Sequence, residues 1–255
     1  MKKFYQNKKI VITGASSGIG EYLALELARL GAKVILLARR EFKLQALAKK
    51  IQEQGFQASY YPLNVSDSPQ VIEVCEKILK NEGTIDILIN NAGIMKLGPF
   101  EKLTLNQHET TIQTNLLGSI YLTHAFLPHF QQNNSGHLVF VSSLVGHVNL
   151  QNFNTYSATK FALVGLAEGL KTELRGKNIF VHLLCPPATD TPLLENADSA
   201  QVDQFRKLPI AQVGNRLIQG IAKKKYLIFC SWDSQLLVWI KRICPRLAEA
   251  ILAHY

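Results

Sequence analysis

The sequence has no long apolar run and few cysteines, and each shortage excludes a class of protein. The longest apolar run near the C-terminus, residues 236–240, is far shorter than the roughly 20 residues of a membrane-spanning helix. The four cysteines lack C-x-x-C spacing, and the seven histidines are scattered without metal-ligand spacing. We therefore expect a reducing compartment, no structural zinc and no other bound metal.

The N-terminus also lacks the features of a secretion signal. Basic residues 1–9 run directly into Ile10-Val11-Ile12, which is too short for the apolar region of a signal peptide. We expect a cytoplasmic protein, with a peripheral position at a membrane surface as the alternative. Repeats and low-complexity tracts are absent, and 255 residues of which 47% are apolar indicate one folded domain over residues 1–255.

Short aliphatic runs alternate along the chain with amphipathic stretches of helical length. This alternation predicts an α/β fold of the Rossmann type, a doubly wound parallel sheet of about seven strands with helices on both faces. The predicted strands are residues 9–13, 33–38, 58–63, 85–90, 137–142, 179–184 and 226–230. The predicted helices are residues 18–30, 42–54, 67–81, 106–130, 155–175 and 211–222, the third capped by Ser66 or Asp67.

Glycines follow the first predicted strand in the stretch TGASSGIG, from Thr13 to Gly20. Glycines let the backbone approach a pyrophosphate, and the helix N-terminus that follows favours its negative charge. The spacing is G-x-x-x-G-x-G, and a tight strand-to-helix turn without a ligand is the alternative. The pattern predicts a dinucleotide site.

The second predicted strand ends in Ala38-Arg39-Arg40, where an NAD-binding protein usually has a carboxylate. A guanidinium grips a 2′-phosphate through two hydrogen bonds, whereas an acid repels it. We therefore predict NADP(H), with Arg39 as the contact. The alternative is that both arginines only solvate the start of a helix.

The stretch YSATK places Tyr156 and Lys160 four residues apart on one helical face. A tyrosine titrates near pH 10, and a neighbouring positive charge is expected to lower its pKa toward the range of a general acid or base. Ser143 lies at the carboxyl end of the stretch HLVFVSS, just after the predicted strand, and is placed to donate to a carbonyl oxygen, while Ser142 is the structural alternative. Either pattern alone is weak, but together they indicate a catalytic site.

Amides complete the set of candidate residues. NNAG, from Asn90 to Gly93, closes the fourth predicted strand, and Asn115 lies within a long, otherwise apolar helix. A buried amide must find hydrogen-bond partners, so satisfaction within the core is the plain alternative for Asn115.

These motifs, in this order and at this spacing, resemble the short-chain dehydrogenase/reductase family over residues 8–230. The resemblance implies hydride transfer between a nicotinamide and a carbonyl or alcohol carbon. It implies that Tyr156 exchanges the proton, Ser143 polarises the carbonyl, Lys160 lowers the pKa of Tyr156 and holds the nicotinamide ribose, and Asn115 anchors a water-linked proton relay. The cofactor-binding residues are then expected to be Gly14, Ser16, Ser17, Gly18, Ile19, Gly20, Arg39, Asn64, Val65, Asn91, Ala92, Gly93, Tyr156, Lys160, Pro186, Thr189 and Thr191.

The chain departs from the family pattern at two points. Asn64 stands where an aspartate is common, and an amide can also form hydrogen bonds there. Pro186-Pro187 replaces the usual Pro-Gly. Since proline fixes φ, this pair is expected to hold Thr189 and Thr191 rigidly against the cofactor, or simply to end the strand.

A narrower resemblance concerns the stretches PPATDTP, FVSS and YSATKFALVGLAEGL, which are similar to the 3-ketodihydrosphingosine reductases. It implies an NADPH-dependent ketoreductase for a long-chain or hydrophobic ketone, with 3-ketosphinganine as one candidate. The alternatives are a 3-oxoacyl-thioester reductase, a broad carbonyl or sterol reductase and, outside enzymes, an NADP(H)-sensing binding module. The broader resemblance to the short-chain dehydrogenase/reductase family implies a homodimer or homotetramer, because the long helices around Asn115 and Lys160 resemble those through which that family pairs.

Two segments near the C-terminus lie beside or beyond the family motifs. Residues 192–210 are expected to cover the substrate as a lid. Residues 231–255 form an amphipathic extension, which Pro245 is expected to split into two short helices. The extension is expected to contact a membrane, to wall a pocket for an apolar substrate, or to pack on its own core or a second subunit.

The positive charge is concentrated near this end of the chain. The formal net charge is +9, and residues 206–246 hold nine Lys or Arg against one Asp, which gives +8. A basic patch attracts acidic ligands, so an acyl carrier protein or coenzyme A thioester is a further candidate partner. No recognition motif for nucleic acid is present, and we expect no nucleic-acid partner.

Overall fold

A computed structural model describes residues 1–195 and 205–252 of the chain, and its centre is one parallel sheet. Seven strands pair in the order β3-β2-β1-β4-β5-β6-β7, with every pair parallel. The strands are β1 (Lys9–Thr13), β2 (Lys33–Ala38), β3 (Gln57–Pro62), β4 (Ile87–Asn90), β5 (Gly136–Val141), β6 (Ile179–Cys185) and β7 (Leu227–Phe229). The predicted fold class is confirmed.

Helices cover both faces of the sheet. In chain order they are α1 (Lys2–Tyr5), α2 (Gly18–Arg29), α3 (Glu41–Glu53), α4 (Ser68–Glu82), α5 (Leu105–Ile112), α6 (Gly118–Gln132), α7 (Asn154–Glu173), α8 (Pro192–Glu195), α9 (Ile210–Ala222), α10 (Trp232–Ile243) and α11 (Pro245–Leu252). Ile10 and Ile12 of β1 pack in one core with α2, α3 and α9, whereas Val11 packs in the other with α4, α6 and α7. Neighbouring side chains of a strand point to opposite faces, so each strand serves both cores.

The order of the strands creates the place where a ligand binds. The chain runs outward from β1 to β3, returns to β4 beside β1, and continues to β7 on the other side. In open parallel sheets the crevice beyond the carboxyl ends of the strands at such a reversal is the usual ligand site. The candidate motifs follow β1, β4, β5 and β6 at this edge.

The structure refines two helices of the prediction. Asp67 caps α4 by accepting a hydrogen bond from the Gln70 backbone N–H at 3.0 Å, so Asp67 rather than Ser66 is the cap. The predicted helix 106–130 is interrupted by a π-helical turn, Gln113–Leu117, between α5 and α6. Asn115 lies in this turn, and π turns inside α-helices frequently mark functional sites.

The C-terminal extension forms the two predicted helices, α10 and α11, which Pro245 separates. Of the predicted lid, residues 196–204 lie outside the described residues, as do residues 253–255 of the extension. Among the residues that the structure describes, no helix is both long and apolar enough to cross a bilayer.

Candidate functional site

A cleft of about 950 Å³ opens at the carboxyl ends of the strands. Most of the residues predicted from the sequence line it. They are Gly14, Ser16, Ser17, Gly18, Ile19, Arg39, Asn64, Val65, Asn91, Ala92, Gly93, Ser143, Tyr156, Lys160, Pro186, Thr189 and Thr191. Gly20 and Asn115 do not line the cleft but lie behind its wall.

The glycine loop, the stretch TGASSGIG from Thr13 to Gly20, is shaped by close backbone packing. Gly14 has φ of +65°, a left-handed conformation that favours glycine. A Cβ on Gly20 would lie 2.7 Å from the side-chain nitrogen of Asn91, so only glycine fits there without movement. Gly20 thus serves the loop by packing, and the loop presents the N-terminus of α2 to the cleft, where backbone N–H groups favour an anion.

Thr13 joins this loop to the NNAG segment, a role that sequence reasoning missed. Its hydroxyl accepts from the backbone N–H groups of Asn91 and Ala92, both at 2.9 Å, and donates to the Ile89 carbonyl at 3.2 Å. The Asn91 side chain donates to the Thr13 carbonyl at 2.9 Å. The signal was the threonine that opens TGASSGIG, at the last position of β1.

Arg40, the neighbour of the predicted Arg39, holds the serines of the glycine loop. Its guanidinium donates to Ser16 Oγ at 2.9 Å and to Ser17 Oγ at 3.2 Å. Both arginines line the cleft. The positive charge expected at the end of β2 therefore faces the cleft, with Arg40 anchored on the loop.

Asn64 forms hydrogen bonds with nearby residues that follow it in the chain. Its Oδ1 accepts from the Ser66 backbone N–H at 3.3 Å, while its own N–H donates to Gln70 Oε1 at 2.8 Å. These bonds fix the loop after β3, and both Asn64 and Val65 line the cleft beside the glycine loop.

Tyr156 and Lys160 lie together in the floor of the cleft, near the start of α7. Both side chains are buried, and Lys160 Nζ lies 5.5 Å from the centre of the Tyr156 ring. The ammonium donates to the Val141 carbonyl at 2.9 Å. Burial lowers the pKa of Lys160 to about 8.

The net shift of the pKa of Tyr156 is upward, and the expected effect of Lys160 on that pKa stays a prediction. Burial raises the pKa of Tyr156 to about 12, and a hydrogen bond with Ser143 offsets only part of the rise. Burial of the phenol is therefore the largest influence on its pKa. The phenol is therefore protonated at neutral pH.

The two adjacent serines have different surroundings: Ser143 lies at the cleft, whereas Ser142 makes a structural hydrogen bond. Ser143 lies at the cleft within hydrogen-bonding range of Tyr156, and its Oγ donates to the Pro186 carbonyl at 3.3 Å. Ser142 Oγ instead donates to the backbone carbonyl of Lys160 at 2.9 Å, which ties β5 to α7. Tyr156 and Ser143 thus present two hydroxyl groups together, an arrangement that can bind one carbonyl oxygen.

Asn115 is fully buried, and its amide is satisfied by the protein. Oδ1 accepts from the Ile94 N–H at 2.8 Å, and Nδ2 donates to the Ile94 carbonyl at 2.9 Å and to Thr159 Oγ1 at 3.2 Å. A Cβ on Gly93 would lie 3.4 Å from Asn115 Oδ1 and 3.7 Å from Lys160 Nζ. Asn115 thus clamps the segment after NNAG against α7, close to Lys160.

The segment that begins with Pro186-Pro187 is held in place by a second stretch of the chain around Leu208. Thr189 forms an isolated parallel bridge with Leu208, and the Leu208 N–H donates to the Ala188 carbonyl at 2.8 Å. The Pro187 carbonyl accepts from Thr189 Oγ1 at 2.9 Å. The segment therefore does more than end β6, and it places the buried Thr191 against Gly18 of the glycine loop.

The outer part of the cleft is apolar, and the C-terminal extension forms one of its walls. Leu236, Leu237 and Ile240 of α10 line it, as do Phe153 and Val145 of a small apolar cluster, with Arg206 and Asp233 as charged residues of the same lining. Of the three roles expected for the extension, this placement favours a wall for an apolar substrate. A cleft with a polar floor and an apolar outer part suits a molecule with one polar end.

Comparison with known proteins agrees with the geometry. Residues 8–202 match the family described as short chain dehydrogenase. The chain is 38% identical over 188 residues to 3-ketodihydrosphingosine reductase of Bos taurus. The aligned region covers 72% of this chain and 57% of that protein. The chain thus spans little more than half the length of that reductase. It is 30% identical over 256 residues to estradiol 17-beta-dehydrogenase 11 of Mus musculus, covering 99% of this chain and 85% of that protein.

Solved structures show the same architecture. A short chain dehydrogenase/reductase from Burkholderia phymatum in complex with NAD superposes with a TM-score of 0.88 at 25% identity, over 95% of each chain. A short-chain dehydrogenase from Sphingobium yanoikuyae in complex with NADPH superposes with a TM-score of 0.82 at 28% identity, over 88% of each chain.

Proposed function

Because the chain belongs to the short-chain dehydrogenase family, we propose that it is an NADPH-dependent ketoreductase that acts on a long-chain or otherwise hydrophobic ketone. One observation carries the proposal. The hydroxyl groups of Tyr156 and Ser143 meet at the polar floor of a cleft whose outer wall is apolar. This arrangement binds a carbonyl oxygen at the floor and an apolar chain above it.

The residues of the inner cleft fit a dinucleotide. The glycine loop has no room for a Cβ at Gly20, and the N-terminus of α2 faces the cleft. Arg39 and Arg40 place two positive charges beside the loop, where they would hold a charged 2′-phosphate more strongly than an uncharged 2′-hydroxyl. The related Sphingobium yanoikuyae enzyme was solved with NADPH. These observations favour NADP(H) over NAD(H).

The cofactor supplies a hydride to the carbonyl carbon when it is bound. Tyr156 donates its phenolic proton to the carbonyl oxygen, so that the C=O group becomes a C–OH group. Ser143 donates a hydrogen bond to the same oxygen and polarises it. The Tyr156 phenol is protonated at neutral pH, which is the state that a proton donor requires, but its raised pKa makes it a weaker acid, so a nearby positive charge is needed when the proton leaves.

Lys160 and Asn115 lie beside the reacting groups and assist the proton transfer by charge and by positioning. Lys160, held on the Val141 carbonyl, places a positive charge near the phenolate that remains after proton donation. Asn115 holds the Ile94 backbone and lies near the Lys160 ammonium. We assign Asn115 the positioning of Lys160 and of the path by which the proton is replaced.

The narrower candidate substrate is 3-ketosphinganine. Its support is the similarity to 3-ketodihydrosphingosine reductases together with the apolar wall of α10, which suits a long alkyl chain. A hydrophobic or lipid substrate is the common element of the candidates. The expectations of a homodimer or homotetramer and of a cytoplasmic location stay predictions.

A second candidate is a steroid ketone or alcohol. The similarity to estradiol 17-beta-dehydrogenase 11 extends over 99% of the chain, further than the similarity to the sphingolipid reductases. A 3-oxoacyl thioester stays a third candidate, because of the positive charge of residues 206–246. A binding module that only senses NADP(H) would have no use for the paired hydroxyls of Tyr156 and Ser143.

The deciding experiment is the rate of NADPH oxidation with matched panels of 3-ketosphinganine, 3-oxoacyl thioesters and steroid ketones. We expect turnover to rise with the length of the alkyl chain. The same panel with NADH in place of NADPH tests the cofactor. Tight NADPH binding without oxidation on any panel would refute the reductase and favour the sensor.

A further inference from the structure

An exposed apolar stripe runs along α10 on the side next to the cleft. Trp232, Leu236, Trp239 and Ile243 follow one another at intervals of four, three and four residues, which places them on one helical face. Trp232 and Ile243 are each 77% exposed and Trp239 is 59% exposed. The helix buries a different face, with Ser234 and Val238, against the protein.

We propose that this stripe docks on the surface of a membrane that contains anionic lipids. Tryptophan suits the boundary between headgroups and acyl chains, because its ring is apolar and its N–H is polar. Two tryptophans with a leucine and an isoleucine form a surface that enters this boundary without spanning the bilayer. The proposal goes beyond the reductase activity and does not depend on which ketone is reduced.

The cations at the C-terminal end of the stripe favour an anionic surface, and Asp233 at the other end is the one acidic residue of α10. Arg242 lies next to Ile243 at the end of α10, and Arg246 lies in the first turn of α11. Within the described ranges, no carboxylate lies within salt-bridge distance of either guanidinium, whereas Lys241 is paired with Glu249 at 3.0 Å. Both arginines are exposed, so their charges are available to lipid phosphates.

The stripe is continuous with the cleft. Trp232 and Leu236 belong to the exposed stripe and also line the cleft, and Leu237 and Ile240 continue the lining inward. A protein seated on this stripe therefore holds the mouth of its cleft at the level of the headgroups. An apolar substrate passes from the bilayer into the cleft along α10 without crossing water.

A second copy of the chain is the competing occupant of the stripe. The net charge argues against it, because residues 206–246, which include α10, carry a formal charge of +8 and two copies of this region repel each other. The test must therefore separate insertion into lipid from association between copies.

The chain supplies its own probe for this test, because Trp232 and Trp239 are its only tryptophans. We would record tryptophan emission of the full chain with vesicles of phosphatidylcholine and phosphatidylglycerol, with and without bromine on the acyl chains. Insertion predicts a blue shift and quenching by the brominated lipid. Vesicles of phosphatidylcholine alone are expected to bind more weakly.

Variants locate the contact. Trp239→Ser with Ile243→Ser removes two side chains of the stripe, retains Trp232 as the probe, and is expected to weaken partitioning by at least about tenfold. Arg242→Gln with Arg246→Gln is expected to weaken binding to anionic vesicles by roughly fivefold per charge. The control is Ile72→Ser, which changes an exposed isoleucine on α4 and should leave partitioning unchanged. Thermal unfolding verifies that each variant is folded.

Three results would overturn the proposal. One is emission that brominated lipid does not quench. Another is equal partitioning of the wild-type chain and the stripe variant. The third is a change of oligomeric state on substitution of the stripe, seen by sedimentation without vesicles, which would assign the stripe to a second copy. None of these measurements uses turnover, so they stand or fall separately from the proposed function.

Discussion

The ammonium of Lys160 lies 5.5 Å from the centre of the Tyr156 ring and donates to the Val141 carbonyl at 2.9 Å. The lysine is thus fixed by the sheet before any substrate arrives. Burial dominates both side chains, raising the pKa of the phenol and lowering that of the ammonium. At neutral pH the pair therefore holds a protonated phenol and an ammonium that loses its proton more readily than that of a free lysine.

The first prediction concerns the phenolic proton. Tyr156→Phe removes the donor and leaves the ring, so we expect turnover to fall by about 10²–10⁴-fold, the usual contribution of a positioned proton donor. NADPH binding should stay nearly unchanged, because the other residues of the inner cleft are intact. Initial rates and NADPH fluorescence titration measure the two effects. Tyr60→Phe on β3 is the control, and full activity in Tyr156→Phe would refute the assignment.

The second prediction is a pH dependence set by Lys160. Burial lowers the pKa of this lysine to about 8, so its positive charge is present below that pH and lost above it. We expect kcat/KM for ketone reduction to be flat below pH about 8 and to decrease above it, while Tyr156 stays protonated throughout. Lys160→Met should reduce the rate and abolish this decrease, whereas Lys177→Met, at an exposed position, should retain it. A profile that stays flat well above pH 8 would contradict the assignment.

The third prediction separates the two arginines after β2. Arg40→Ala removes a guanidinium held on Ser16 and Ser17, and we expect KM for NADPH to rise by roughly 10- to 100-fold, the value of one charge-assisted pair. KM for NADH should change little, because NADH has no 2′-phosphate. Arg39→Ala is the matched comparison. A larger effect at Arg39 than at Arg40 would show that Arg39, the residue predicted from the sequence, is the one that contacts the 2′-phosphate.

This pair of arginines illustrates where sequence reasoning stops. The strand bounds of β1 and β2 were predicted to the residue, because buried parallel strands are continuous apolar runs with clear ends. Because the end of β2 was located correctly, the position of the two arginines that follow it was predicted as well. Which of two adjacent side chains reaches the glycine loop depends on the turn of the backbone, and no local pattern encodes it.

Tyr156 with Lys160, and likewise the C-terminal helices, show the same limit of sequence reasoning. Spacing placed Tyr156 and Lys160 on one face of a helix, but the direction of the pKa shift of Tyr156 depends on how deeply α7 is buried. Periodicity and Pro245 predicted the two C-terminal helices. That α10 walls the cleft follows from long-range packing, which periodicity alone does not reveal.

The last prediction concerns a buried histidine pair that links β5 and β6. Because the Lys225 carbonyl only accepts, His182 donates to it from Nδ1 at 2.6 Å, and its Nε2 then accepts from His137 Nδ1 at 2.9 Å. Burial lowers the pKa of His137 to about 3 and that of His182 to about 4, and for His137 the other histidine, Lys8 and Lys224 add to the effect. A proton on His182 Nε2 would break the bond between the rings.

The folded protein should therefore lose stability in acid. An unfolded histidine takes up a proton near pH 6.5, whereas these two resist it in the fold, so the contribution is complete above about pH 6.5 and is lost as the pH falls toward 4. We expect the free energy of unfolding in urea to decrease by on the order of 2 kcal/mol per histidine between pH 7 and 5. His137→Phe with His182→Leu should flatten this slope. His124→Gln, an exposed histidine on α6, should leave it unchanged, and an equally steep slope in the double variant would assign the acid sensitivity to other groups.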